Sequence, residues 1–288
     1  MPVLLVVASG YFLGRNMVLD SRTIGRILFY LATPSLVFRS LYQTKINISN
    51  LQNLALISIC MVILTGTLGW LTAFREERRR RAAVTLASAV ANNGNMGIPI
   101  SLFAFGEAGA ALGTLYYVVT SFCSNTLGSV VASAGSASVG KAVSHGLRVP
   151  TLYAAIGGLA LNWLQWELPT GVVRAADLMG GAAVPGMLIL MGVQLSSVKV
   201  AFNQQPVYAV TLIRLLVAPI LAWGLCLLLG VNGLERDIII LQASMPTAVM
   251  VTILVTEFDA APRLVAAIIF FSTLCSIVSL SVLLWILL

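Results

Sequence analysis

The stretch VANNGNMGIPI, residues 90–100, decides how the chain is to be read. It sits inside a long apolar run and carries no charge, yet it holds Asn92, Asn93 and Asn95 with Gly94, Gly97 and Pro99. Proline removes a backbone donor and clashes with the preceding turn. Glycine lets the chain leave helical geometry. In hydrocarbon each freed N–H or C=O left unpaired costs several kcal/mol. Such a break persists only where it is buried in protein or lines a wet cavity. The asparagine amides, each donor and acceptor, can satisfy freed backbone groups or bind a solute.

The surroundings of this stretch are those of a bilayer protein. Of 288 residues, 59% are hydrophobic and 9% charged, with a mean hydropathy of +0.96; soluble domains carry roughly 25% charged residues. The net charge of +7 does not point to nucleic acid, because the basic residues form short clusters between apolar runs, as in cytoplasmic loops of membrane proteins. Cys60, Cys123, Cys226 and Cys275 lie far apart in apolar runs, which implies neither a disulfide framework nor a metal site. The opening MPVLLVVASGYFLGRN lacks a basic leader region and a cleavage site, so it reads as a first span. With about 13 residues before Arg15 it is short against the usual ~17–25, so either the span is thin or the native start lies upstream.

Ten apolar runs of membrane type follow one another, at about 2–14, 22–42, 54–73, 82–106, 109–133, 149–165, 171–195, 206–230, 236–257 and 263–287. The expected fold is therefore an all-α membrane protein of ten spans. The Gly/Ser-rich segment 134–148 reads as a linker between residues 1–133 and 149–288, five helices each. With the N-terminus outside, Arg15, Arg22, the cluster Arg75 to Arg81, Lys141, Arg148, Lys199 and Arg263 fall on the cytoplasmic side. Lys45, Arg174, Arg236 and Arg39 fall outside, a strong positive-inside asymmetry that places both termini externally.

Five spans per half force the halves into opposite orientations. Pro34 in LFYLATPSLVFRSL (28–41) matches Pro185 in LMGGAAVPGMLILMGVQL (178–195), and both are candidates for shaping a cavity. The same offset carries residues 90–100 onto LQASMPTAVMV (241–251). Interrupted spans at matching positions of inverted repeats mark a transport site near the midplane. Crossing there would bring together half-helix N-termini, which favour an anion. Asn92, Asn93, Asn95, Gly97 and Pro99 are the candidate substrate residues of the first break, and Met245, Pro246, Thr247 and Met250 those of the second.

NNGNMGIPI and SMPTAVMVTILVTEF, together with LFYLATPSLVFRSL and VPGMLILMGVQL, resemble the auxin efflux carrier family over nearly the whole chain. Its members include plant auxin exporters and bacterial carriers of malonate and similar acids. The resemblance implies ten helices in two inverted repeats, as in sodium/proton antiporters and bile-acid symporters. It also implies fourth and ninth helices crossed at their breaks, and a transport part that moves elevator-fashion against a scaffold. It carries the crossover positions onto Asn93, Asn95, Pro99, Pro246 and Thr247. Where some relatives have a polar residue after Ala-Val, this chain has Met250, which makes that side of the pocket more apolar.

Buried charge is scarce. The ten acids, Asp20, Glu76, Glu77, Glu107, Glu167, Asp177, Glu235, Asp237, Glu257 and Asp259, lie in loops or near helix ends, so no carboxylate relay occupies the midplane. The single histidine, His145, lies in the linker. Arg214, about nine residues into the eighth span, is the exception: a partner for an anionic substrate or a helix end, or an arginine that bonds neighbouring carbonyls. Gln194 and Gln242 are softer pocket candidates, and Tyr116 and Tyr117 read as packing aromatics.

The function expected is a carrier of small organic anions across the cytoplasmic (inner) membrane, with efflux driven by the inside-negative potential. The competing readings are a sodium-coupled organic-anion symporter and a non-transporting sensor or scaffold. An enzyme is excluded by the absence of an intramembrane nucleophile–base pair or aspartate pair. No cofactor is called for, although sodium could bind to backbone carbonyls at the breaks. The expected partners are the anion and the lipid bilayer, with small-residue helix faces that could support a homodimer.

Overall fold

A computed structural model describes residues 2–44, 48–132, 144, 146–196, 204–257 and 260–288. His145, Lys45, Lys141, Lys199, Asp259 and most of the linker segment 134–148 lie outside the described residues. Each of the ten apolar runs is helical. The helices are α1 (Pro2–Asn16), α2 (Ser21–Ile27), α3 (Thr33–Gln43), α4 (Ile48–Thr72), α5 (Arg78–Ala89), α6 (Ile98–Ala132) and α7 (Pro150–Trp163). They continue with α8 (Thr170–Gly181), α9 (Ala183–Ser196), α10 (Gln205–Leu212), α11 (Ala218–Leu228), α12 (Gly233–Ala243), α13 (Met250–Glu257) and α14 (Pro262–Leu287). Among the described residues, five segments are long and apolar enough to cross a bilayer: Leu51–Thr72, Asn93–Thr126, Thr170–Ser196, Gln205–Leu228 and Pro262–Leu287.

Proline placement explains most interruptions. Widened π turns occupy Leu28–Ala32, Asn93–Gly97 and Ile213–Val217, and each ends two residues before a proline: Pro34, Pro99 and Pro219. A proline cannot donate to the carbonyl four residues back and its ring crowds that carbonyl. Widening the preceding turn lets both ends keep their remaining bonds. The seventh run, expected as one span, lies in the single membrane-length segment Thr170–Ser196 and turns within it at Ala182, between α8 and α9. There Pro185 has no N–H for the Gly181 carbonyl.

The chain leaves the fourth run and enters the fifth at Gly106, which breaks α6 with φ 67° and ψ −162°. Nothing would lie within 4 Å of a Cβ there. The backbone conformation itself, not crowding, calls for glycine.

Packing falls into two groups. In one, α1 lies along α9, α2 touches α9, and α3 packs on α7 and α8. In the other, α4 packs on α5 and α6, α10 on α14, and α12 on α6 and α11. The groups meet where α9 touches the Asn93–Gly97 turn and where α3 and α7 touch α6. Arg39 pins this seam at one end, pairing with Asp177 of α8 at 3.0 Å and with Glu107, just past the Gly106 turn, at 3.7 Å. Three apolar clusters fill the interior, centred on Ile57 and Ile239, on Val84 and Val265, and on Met187 and Met245. The breaks lie between them.

Candidate crossover site

Helix α5 ends at Ala89 and helix α12 at Ala243, and the two extended stretches that follow run antiparallel to each other. Asn92 N–H donates to the Pro246 carbonyl at 2.8 Å, and Ala248 N–H donates to the Val90 carbonyl at 3.0 Å. The two breaks therefore cross, and Ala91 faces Thr247 in a single β-bridge.

The last carbonyls of an α-helix lack partners within it. Here each helix end is served from across the crossing. For α5, the Thr247 hydroxyl donates to the Ala87 carbonyl at 2.8 Å and Arg214 Nη1 to the Ser88 carbonyl at 3.3 Å. For α12, Asn93 Nδ2 donates to the Gln242 carbonyl at 2.7 Å. Arg214 Nη2 donates to the Ala243 carbonyl at 2.8 Å and, with Nε, to the Met245 carbonyl at 2.9 and 3.1 Å. Arg214 is 2% exposed, and among the described residues no carboxylate pairs with it.

The asparagines divide the work. Asn93, 2% exposed, also donates to Gln242 Oε1 at 2.9 Å and accepts from the Thr120 hydroxyl at 3.3 Å. Gln242 passes the chain on to the Ser101 hydroxyl at 3.1 Å. A Cβ added at Gly97 or Gly113 would strike the Gln242 amide, so both glycines make room for it. Asn92 is buried, with Nδ2 3.9 Å from Met191 Sδ on α9. Asn95 differs: it is partly exposed, and its amide makes no hydrogen bond among the described residues.

Of the other expected site residues, Pro99, Met245 and Pro246 are buried at the crossing, and Met250 is half-buried at the start of α13. Gln194 stands on α9 with its buried Oε1 unpaired, and α9 packs on the turn that carries Asn95. Pro34 is half-buried in α3, while Pro185 is exposed on α9; neither joins the hydrogen-bonded crossing. Tyr116 is core, and the Tyr117 ring covers Gly94.

Thr120, Ser101 and Ser272, whose hydroxyl accepts from Thr247 N–H at 3.3 Å, escaped the sequence reading. Serine and threonine in helices commonly return their hydroxyl to their own helix, so nothing in the letters marks those that reach across. Glu235 in the first turn of α12 is buried with one carboxyl oxygen unpaired, at the end of α12 away from the crossing. A cavity of about 570 Å³ opens beside the crossing between α10, α11 and α14, lined mostly by apolar side chains, with Tyr208, Thr211, Ser244 and Ser279 among them.

The helices that leave the crossing, the Asn93–Gly97 turn into α6 and α13, start there. Several of their first N–H groups turn back on the breaks: Gly97 N–H donates to the Asn92 carbonyl at 3.0 Å, and Val251 and Thr252 N–H donate to the Ala248 and Val249 carbonyls at 3.1 and 2.9 Å. The crossing holds an uncommitted amide, that of Asn95, and among the described residues no acid is buried at it.

The model of a family described as membrane transport protein matches residues 1–138 and 136–284. The chain is 33% identical over 293 residues to an uncharacterized transporter of Methanothermobacter thermautotrophicus, covering 97% of this chain and 94% of that one. It is 26% identical to an uncharacterized transporter of Methanocaldococcus jannaschii, over 99% and 97% of the two chains. It is 24% identical to a Rhizobium meliloti protein named "Putative malonate transporter", over 99% and 93%. The chain is thus a transporter and not an enzyme, a member of the auxin efflux carrier family of membrane transport proteins.

Proposed function

We propose that the protein carries small organic anions, carboxylates first among them, out across the cytoplasmic membrane. The observation that carries this reading is the crossing itself. Two helix pairs meet with their C-terminal carbonyls satisfied, by Arg214, Asn93 and Thr247, while two helices start at the crossing and the Asn95 amide beside them stays open. Positive dipole ends with free N–H groups hold a carboxylate well. The relative named for malonate supports the same class of solute.

In this reading the ten helical runs are ten spans in two inverted five-helix repeats, residues 1–133 and 149–288, with both termini outside. The group around α4, α5, α6 and α10 to α14 is the moving part. The group around α1, α2, α3 and α7 to α9 is the scaffold, and the seam at Met191 and Gln194 is where the solute is exposed alternately to each side. An inside-negative potential drives the anion outward.

The test is electrogenic current in proteoliposomes holding the full chain, screened over monocarboxylates and dicarboxylates with an imposed potential. A saturable, voltage-dependent current with at least one carboxylate supports the reading. Absence of current and of counterflow with every acid, from protein shown to be folded, overturns it.

A further inference from the structure

Arg214 is a full charge held inside the protein with no acid beside it among the described residues. Its partners are the carbonyls of Ser88, at the end of α5, and of Ala243 and Met245, at the end of α12. Carbonyls at unwound backbone and half-helix C-termini are the groups with which broken-helix carriers coordinate a sodium ion. In this chain they converge on a guanidinium carried by the π turn Ile213–Val217 that follows α10.

We infer that Arg214 is a tethered cation that takes the place of a dissociable one at the crossover, so that the protein binds and moves its anion without sodium. This rests on the organic-anion reading above. The guanidinium stays charged at all working pH values. It neutralises the negative ends of two helices at once, and its fork matches carbonyls on both sides of the crossing. A lysine would supply the charge but could not span all three carbonyls. A free ion would supply it only while bound, and its release would loosen the crossing in each cycle. With Arg214 the crossing stays assembled whether or not the solute is present, and its positive field is always available to the anion. Arg214 is in this sense a positioning residue that acts through the helix ends.

The test has two arms, and the first is independent of which solute is carried. Thermal unfolding of the full chain in lipid nanodiscs is compared in sodium chloride and choline chloride, for wild type, R214K, R214Q and R214A. The wild type melts at the same temperature in both salts. R214K melts several degrees lower and R214Q lower still. R214A, where it folds, regains stability with millimolar guanidinium that leaves the wild type unmoved. A wild type stabilised by sodium over choline overturns the inference, as does R214Q melting at or above R214K. An R214A protein that melts like the wild type, or one that folds and ignores guanidinium, also overturns it.

The second arm is carboxylate flux in proteoliposomes. Replacing sodium with choline leaves wild-type flux unchanged, R214K retains more flux than R214Q, and a wild-type flux that needs sodium overturns the inference. If no acid is carried at all, the organic-anion reading fails while the melting arm still decides the role of Arg214.

Discussion

The two breaks solve one problem in opposite ways. The first, Val90 to Gly97, is rich in amides and supplies its own polar groups: Asn93 reaches across to the carbonyl and side chain of Gln242. The second, Ser244 to Met250, is nearly apolar. Its carbonyls are served from outside, by Arg214 on a neighbouring helix; of its two polar side chains, Ser244 returns its hydroxyl to its own helix and Thr247 serves the opposite one. The halves therefore match in backbone path but not in chemistry. The first break gives adjustable hydrogen bonding, the second gives fixed charge, and a solute between them would meet both.

Several substitutions test this asymmetry. The largest effect outside Arg214 belongs to Asn93→Ala. It leaves the Gln242 amide oxygen without a donor and its carbonyl with only the 3.3 Å bond from Met245 N–H, at a cost of about 2 kcal/mol or more, and should lower both melting temperature and flux; a variant that melts and transports like the wild type would break the comparison at its first member. Next comes Gly97→Ala, whose Cβ strikes the Gln242 amide; overpacking of this kind costs roughly 1–3 kcal/mol. In a Gln242→Ala background that cost should shrink, so melting of the single and double variants should be non-additive.

Thr247→Val should cost about 1 kcal/mol, since only the bond to the Ala87 carbonyl is lost. The smallest effect is expected far from the crossing, at Asp20. Its carboxyl caps α2, and hydrogen bonds from the Thr23 hydroxyl and Arg22 N–H hold it below the usual carboxylate range. A depressed carboxyl pKa stabilises the fold above the ordinary carboxylate range and ceases to as pH falls through the lowered value. Asp20→Ala should remove this small acid-side slope in melting temperature and leave transport alone.

Much of this was legible in the letters. The ten runs and both breaks follow from proline, glycine and amide residues inside apolar sequence, whereas the turn at Gly106 emerged only in the structure. The π turns were not, because Leu28–Ala32 and Ile213–Val217 contain ordinary helix formers and their cause lies two residues downstream at Pro34 and Pro219. Arg214 was visible as an anomaly, but its three carbonyl partners come from α5 and α12, brought together only by the fold. The same holds for the amides. All three asparagines are candidates in the sequence and the resemblance favours Asn93 and Asn95 alike, whereas packing spends Asn93 on Gln242, buries Asn92 and leaves Asn95 open.

That difference supplies the most direct test of the claim that the crossing is the transport site. Asn93 cannot separate binding from folding, because it does structural work; Asn95 makes no hydrogen bond to lose among the described residues. The measurement is carboxylate current in proteoliposomes for wild type and Asn95→Ala, with melting temperature recorded on the same preparations. The account predicts an unchanged melting temperature and a current reduced roughly tenfold or more, the loss expected for about 1.4 kcal/mol of solute binding. An Asn95→Ala protein that folds normally and carries the wild-type current would contradict it.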